Sequence, residues 1–554
     1  MSFKYVRRGF SILLWITLLV GGSKLNAQEV ENSTKDVQGN AMKFGRLLRL
    51  VDSYYVDSTK VNDLTEKAVV EVLRSLDPHS VYISKDEVTK MNEPLQGNFE
   101  GVGISFNVYR DTLLVVTTIP GGPSEKVGLR AGDRIISVDA KNIAGIGLKN
   151  PAVYDYLRGK KGTKVELAVR RKGESNILEF VVIRDKIPIN SLDASYMLNQ
   201  NTGYIKLNKF SATTTEEFAE AIKSLKGTSK LNNLVLDLRD NGGGYLNAAT
   251  ELADQFLAAF QQIVYTQGTH AEKHEYNATG DGELENGKLI LLIDEGSASA
   301  SEIVAGAIQD WDRGVLIGRR SFGKGLVQQP FALTDGSMIR LTTAHYYTPS
   351  GRCIQKPYTD GIEAYRNDYQ HRVQKGELFS KDSIVQNTKL KYLTKVSKRT
   401  VYGGGGIMPD VFIPLDTSKY YSYYNNLLRK NVVYTSVLDM MDANREKFVL
   451  KYPDFTTFNE KFEVSDEMID KIIIDGEKEG VKKEEKSVSF ARPLMKKQIK
   501  ALVARDLFSL SKYFQIMNDE DESIKKAVEV LSQKGVYENI LSGKSLAIDS
   551  HSGQ

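Results

Sequence analysis

Apolar positions change their period several times along the 554-residue chain. Between Met42 and Leu76 they recur at helical spacing, first at Leu47, Leu48, Val51, Tyr54 and Tyr55, then at Leu64, Ala68, Val69, Val72, Leu73 and Leu76. This predicts two helices. Asp77-Pro78-His79-Ser80 stops the second, because proline disfavours helix in the residue before it, and His79 reads as a turn or cap residue. From 97 to 185 the pattern turns to short β-rich runs: Gly103–Val108, Leu113–Thr118, Arg134–Val138, Val165–Arg170 and Leu178–Val182. Pro120–Ser124 and Val127–Asp133 lie between them, so the segment reads as a compact β module. From Gly203 to about Pro349, the apolar runs Gly203–Leu207, Leu234–Leu238, Leu289–Ile293 and Val315–Gly318 alternate with helical stretches at Thr215–Leu225, Ala248–Phe260 and Ser299–Gln309. Unbroken apolar strands separated by helices predict a largely buried sheet with helices packed on it.

The ends of the chain differ from this middle. Lys4, Arg7 and Arg8 precede the apolar run Phe10–Val20, and a polar stretch then ends in Ala27. That is the pattern of a secretory signal. The run is too short for a bilayer, which needs about 20 residues. The expectation is a signal peptide over 1–27, a mature start near Gln28, and an exported, periplasmic protein; an uncleaved membrane anchor is the alternative. Residues 28–40 are polar and read as loose. After about 415 the chain becomes helical and charged. Lys478–Lys486 reads as a solvated link, Ala504–Leu510 and Ile524–Leu531 as late helices, and the last dozen residues as frayed. The single cysteine, Cys353, excludes an intramolecular disulfide and metal sites built on paired cysteines. It reads as a small buried side chain. A net charge of +4 gives no nucleic-acid footprint.

Candidate chemistry concentrates in two segments. In Ile293-Asp294-Glu295-Gly296-Ser297-Ala298-Ser299-Ala300-Ser301-Glu302 a buried strand gives way to small residues leading into a helix. Such a turn can hold a hydroxyl where free N–H groups stabilise an oxyanion. It equally suits serines that only cap the helix, and local chemistry does not separate Ser297, Ser299 and Ser301. A serine nucleophile needs a base. One candidate is His345, acting with Ser299 and a carboxylate such as Asp237. The other is Lys324, in Arg320-Ser321-Phe322-Gly323-Lys324-Gly325-Leu326-Val327-Gln328-Gln329. Burial lowers a lysine pKa by disfavouring the charged form, and Ser–Lys pairs are a known hydrolase variant. A phosphate-binding P-loop is rejected, because Gly325 stands where that motif needs Ser or Thr.

Gly-Ser-Ala-Ser-Ala-Ser-Glu at 296–302 and Phe-Gly-Lys-Gly-x-Val-Gln at 322–328 resemble the paired signatures of the C-terminal processing peptidases, or tail-specific proteases. Leu76–Tyr82, Asp237–Gly244, Thr343–Ile354 and Gly403–Val411 resemble the same family, so the likeness runs from about 42 to 415. The resemblance implies Ser299 as nucleophile, Lys324 as general base, Gln328 orienting the lysine amine, and an oxyanion hole from the N–H groups of Ala300 and Gly244, with Gly243 the alternative to Gly244. It implies structural roles for Asp237 and Arg239. The 97–185 module resembles a PDZ domain, which implies capture of a protein or peptide C-terminal tail by the N–H groups of Val102, Gly103 and Ile104. The fold class implied is α/β multidomain. A ClpP/crotonase-like α/β protease core spans 186–415, with the PDZ module inserted, helical regions at 28–96 and 416–554, no metal or other cofactor, and a homo-oligomer through the N- or C-terminal helices. Two rival readings are a catalytically silent PDZ scaffold and a Ser–His–Asp hydrolase using His345.

Overall fold

The computed structural model describes residues 36–416, 422–483 and 485–544. The signal segment 1–27, its cleavage near Gln28 and the tail 545–554 lie outside the described residues. One compact unit ends at Leu76 and a second begins at Asp77. In the first, residues 36–54 and Val61–Arg74 are helical. Residues 36–40, read from sequence as loose, are already helix. A turn added to an existing helix costs little, even where its residues are polar.

The heart of the second unit is a six-stranded sheet. Its order is Leu192–Met197, Thr202–Leu207, Asn233–Asp237, Lys288–Ile293, Val315–Gly318 and Val411–Phe412. The first pair is antiparallel and the others are parallel. Alternate side chains of each strand enter two different cores. Leu234, Leu236, Leu289, Leu291, Ile293 and Leu316 pack against helices Thr214–Thr228, Leu246–Asp254 and Ala300–Asp310. Val235, Ile290, Leu292, Val315 and Ile317 pack with Ile524, Ala527, Val530, Leu531, Tyr537 and Ile540. The unbroken apolar strands thus reflect burial on both faces. The second face is covered by the far end of the chain, through helices Glu522–Ser532 and Val536–Leu541. The helix expected to run to Phe260 stops at Asp254. Apolar residues continue past it, but the N–H groups of Gln255 and Phe256 turn back to the carbonyls of Leu252 and Ala253, three residues earlier, which tightens and closes the helix there.

A second sheet lies beside the first. Met338–Tyr347 is flanked by Leu326–Ala332, Val81–Ile83 and Gln262–Gln267, and the last pairs with His274–Asn277. The β module holds Ile104–Tyr109, Thr112–Thr118, Arg134–Val138, Lys164–Arg170 and Leu178–Ile183 in one antiparallel sheet, with Ile104–Tyr109 at its edge. Helix Asn150–Leu157 packs its Val153 and Leu157 into that module's core. Asn98–Gly101 pairs with Asp185–Pro188, so the chain enters and leaves the module along one two-stranded ladder.

Residues 422–483 and 485–544 are mainly helical. The late helix read at 504–510 is two helices, Glu485–Leu507 and Leu510–Met517. The charge run read as a solvated link has Val481 buried within it. The region reaches both other parts. Arg134 of the β module pairs with Asp442 at 2.8 Å, and Tyr109 bonds Asp439. Toward the main sheet, Asn518 Nδ2 donates to Tyr196 Oη (2.7 Å) and Arg239 pairs with Asp521 (2.9 Å).

Candidate active site

The strand Lys288–Ile293 delivers the serine-rich turn to the edge of a cleft of about 890 Å³. The fold separates the three serines that sequence left equivalent. Ser297 and Ser301 are fully buried. Ser297 Oγ donates to the Leu238 carbonyl (2.8 Å) and accepts from the Asp294 N–H (3.0 Å). Ser301 Oγ donates to the Asn241 carbonyl (2.8 Å). Ser299 alone lines the cleft. It is the N-cap of helix Ala300–Asp310, and its N–H donates to Glu302 Oε2 at 2.9 Å. Its φ of +56 is one that residues with a side chain rarely adopt. Such strain persists only where the surroundings hold it, and it marks functional turns.

Two N–H groups flank Ser299 without an acceptor among the described residues, those of Ala300 and Gly244. Both residues line the cleft. Gly243 N–H is already committed to Asn241 Oδ1 (2.9 Å), which leaves Gly244 as the free donor of the glycine loop. The loop has to be glycine. A Cβ on Gly243 would come within 2.9 Å of the Ala300 nitrogen, and one on Gly244 would strike the Phe210 carbonyl. Both sit at positive φ, +98 and +154.

Across the cleft, Lys324 precedes strand Leu326–Ala332. Its Nζ donates to Gln328 Oε1 at 3.0 Å. Burial pulls the ammonium below the ordinary lysine range, and the positive charge of Arg340 pulls the same way. Ser299 Oγ and Lys324 Nζ share the cleft without a hydrogen bond between them. Gln328 is held from its other end, since its Nε2 donates to the His79 carbonyl. That bond fixes which amide atom faces the lysine. The His79 turn is itself braced by Asp77, whose Oδ1 accepts from the N–H groups of His79 (2.7 Å) and Ser80 (2.9 Å). The turn reading of His79 therefore understates it: no sequence signal joined residue 79 to residue 328. Burial, with Lys324 close by, takes the His79 imidazole down to about 4. Its Nε2 meets Tyr365 Oη at 2.7 Å.

Glu302 ties the two halves together. This fully buried carboxylate accepts from Ser299 N (2.9 Å), Lys324 N (2.8 Å), Gly323 N (2.7 Å) and Ser321 Oγ (2.5 Å). The helix turn bearing Ser299 and the loop bearing Lys324 are therefore cross-linked through one side chain.

His345 is not part of this constellation. It faces Cys353, with Nδ1 to Sγ at 3.9 Å, and does not line the cleft. Asp237 is buried and taken by Tyr204 Oη (2.8 Å) and Arg239 (2.7 Å). Arg239 in turn reaches Asp521, so this pair fastens the C-terminal helices to the sheet. Cys353 is half-buried, and burial pushes its thiol up, away from reactivity. In the β module, the N–H groups of Val102 and Gly103 have no acceptor among the described residues, and Ile104 opens the sheet's edge strand.

Comparison with known proteins gives three family matches. Peptidase family S41 matches residues 201–364, the PDZ domain family matches 114–171, and a family of unknown function matches 423–509. A carboxy-terminal-processing protease of Bartonella bacilliformis is 37% identical over 348 residues, 62% of this chain and 78% of that one. The carboxy-terminal processing protease CtpB of Bacillus subtilis is 35% identical over 327 residues, 58% of this chain and 66% of that one. The solved photosystem II D1 C-terminal processing protease is 30% identical, covering 56% of this chain and 89% of that one, with a TM-score of 0.32.

Proposed function

As this chain belongs to peptidase family S41 and is a carboxy-terminal processing serine protease carrying a PDZ domain, we propose that it is an exported endopeptidase working through a Ser299–Lys324 acyl-enzyme. Neutral Lys324 takes the Ser299 proton as Oγ bonds to the scissile carbonyl carbon. The N–H groups of Gly244 and Ala300 receive the oxyanion. The lysine returns the proton to the leaving amine as the C–N bond breaks, and water then cleaves the ester by the same route. Gln328 keeps the amine aimed at Ser299, and Ser299 Oγ must rotate toward the lysine for the first transfer. The observation that carries this reading is the buried amine on Gln328 Oε1, in one cleft with Ser299.

The PDZ domain presents substrate tails by strand addition beside Ile104, with the terminal carboxylate on the N–H groups of Val102, Gly103 and Ile104. The two-sided α/β core is read as ClpP/crotonase-like. Export rests on the Lys4–Ala27 pattern. Self-association rests on helix 36–54, where Met42, Leu47, Leu50 and Tyr54 are exposed.

The test is cleavage of an unfolded protein by the full chain, with the new termini read by mass spectrometry. Ser299→Ala and Lys324→Ala each abolish it, and His345→Ala retains most of it. In the wild type kcat/KM rises with pH as Lys324 loses its proton, with a midpoint below the ordinary lysine value of about 10.4. An active Lys324→Ala protein overturns the dyad.

A further inference from the structure

Arg340 lies on strand Met338–Tyr347, opposite Pro330 on one side and Val81 on the other. Two residues along, Thr342 faces Gln328 across a bulge that skips Thr343. The Arg340 side chain is half-buried and lines the cleft with Ser299, Lys324 and Gln328. Among the described residues its guanidinium makes no hydrogen bond or ion pair. The other arginines around the core behave differently. Arg319 pairs with Glu295, Arg320 and Arg372 with Glu377, Arg352 with Asp310, and Arg399 with Asp312 and Asp410.

We propose that Arg340 is a substrate-binding residue that receives a carboxylate of the polypeptide being cut. The proposal rests on the Ser299–Lys324 reading. A guanidinium offers five donors in a planar fork that fits a carboxylate through two parallel bonds. Held half out of water with no partner, it has given up hydration that an arriving anion restores. Nothing in the cleft competes for it. Glu251, the acidic residue of the lining, is exposed and takes the Thr215 hydroxyl at 2.7 Å. Asp77, behind Lys324, is engaged by His79, Ser80 and Thr342. With Lys324 neutral, Arg340 is therefore the cation of the lining. Its charge also disfavours protonation of Lys324 in the free enzyme. A bound carboxylate cancels that charge and strengthens the amine as a base when the Ser299 proton has to move.

Two sources supply the same chemistry, an Asp or Glu side chain near the scissile bond and the terminal carboxylate of a short tail. Four fluorogenic peptides separate them, carrying Glu or Gln beside the scissile bond, each with a free or amidated C-terminus. The full chain is compared with Arg340→Gln and Arg340→Lys. In the wild type kcat/KM favours the carboxylate peptide by about tenfold, the ratio worth about 1.4 kcal/mol. Arg340→Gln removes that preference and Arg340→Lys keeps part of it. A lost Glu/Gln contrast assigns the side chain, and a lost acid/amide contrast assigns the terminus. An amide effect that survives Arg340→Gln belongs to the PDZ domain. If Arg340→Gln cuts none of the peptides, their affinities are measured by fluorescence anisotropy on Ser299→Ala and on Ser299→Ala/Arg340→Gln, where the same contrast is lost. Unchanged ratios in both assays overturn the proposal. A Ser299→Ala protein that still cuts overturns the dyad instead, so the two failures are distinguishable.

Discussion

Around the cleft of Ser299 and Lys324, the buried polar side chains that brace it satisfy one another. Glu302 takes four donors, Gln328 spans lysine and turn, and the Asp77 carboxylate braces the turn. In the C-terminal helical region, the buried positions are almost all apolar, such as Leu427, Val433, Met441, Ile469, Ile499 and Val503. Polar groups matter there where the region meets something else: Asp439 and Asp442 toward the PDZ domain, Asn518 and Asp521 toward the sheet. The first region needs particular atoms at particular places. The second needs shape and volume, which many sequences supply. That is why the first carries short motifs tied to a chemistry, and the second, although matched by a family of unknown function, carries none that names a chemistry.

The largest effect that sharpens this contrast is expected at Glu302. Glu302→Ala leaves four donors facing a void and uncouples Ser299 from Lys324, so cleavage is lost and stability falls by about 3–5 kcal/mol in denaturant titration. An active Glu302→Ala protein breaks the idea that the cleft is specified by its polar cross-link. Next comes Ile524→Ala, on the helix that covers the sheet's second face. It removes volume from a sealed core and costs about 2–4 kcal/mol by the same titration. Stability unchanged there makes the extension an appendage instead of half of the core. The smallest effect is expected at Arg134→Ala. This partly exposed ion pair is worth no more than about 1 kcal/mol. Hydrogen exchange nevertheless speeds up in the ladder 98–101/185–188 as the PDZ domain loosens, whereas identical exchange rates remove Asp442 from any role in holding it.

The main strands were legible because burial on both faces leaves continuous apolar runs, as in Leu289–Ile293. Gln262–Gln267 and His274–Asn277 were not, since both are short and neither shows a regular burial pattern: the first has two adjacent buried residues and the second has none. The helix Glu522–Ser532 showed its apolar stripe, Ile524, Ala527, Val530 and Leu531, but not its partner, a sheet whose strands up to Val315–Gly318 lie more than 200 residues earlier in the chain. At the site, residue types announced a hydroxyl and an amine. They did not tell Ser299 from Ser297 and Ser301, because that choice depends on which hydroxyl faces the cleft and which face the glycine loop. The grip of His79 on Gln328 runs through a backbone carbonyl, which every residue possesses, so no side-chain pattern betrays it.

The late arrival of the sheet's second covering has a consequence for biogenesis. Synthesis proceeds from the N-terminus, and domains generally fold as their residues emerge. Here every main strand is made before Ile524 and Tyr537 exist, so a half-made protein carries the serine and lysine on a slab still wet on one side. Completion of the sheet therefore waits for residues 524–540, and a chain cut short before them is a poor protease by construction.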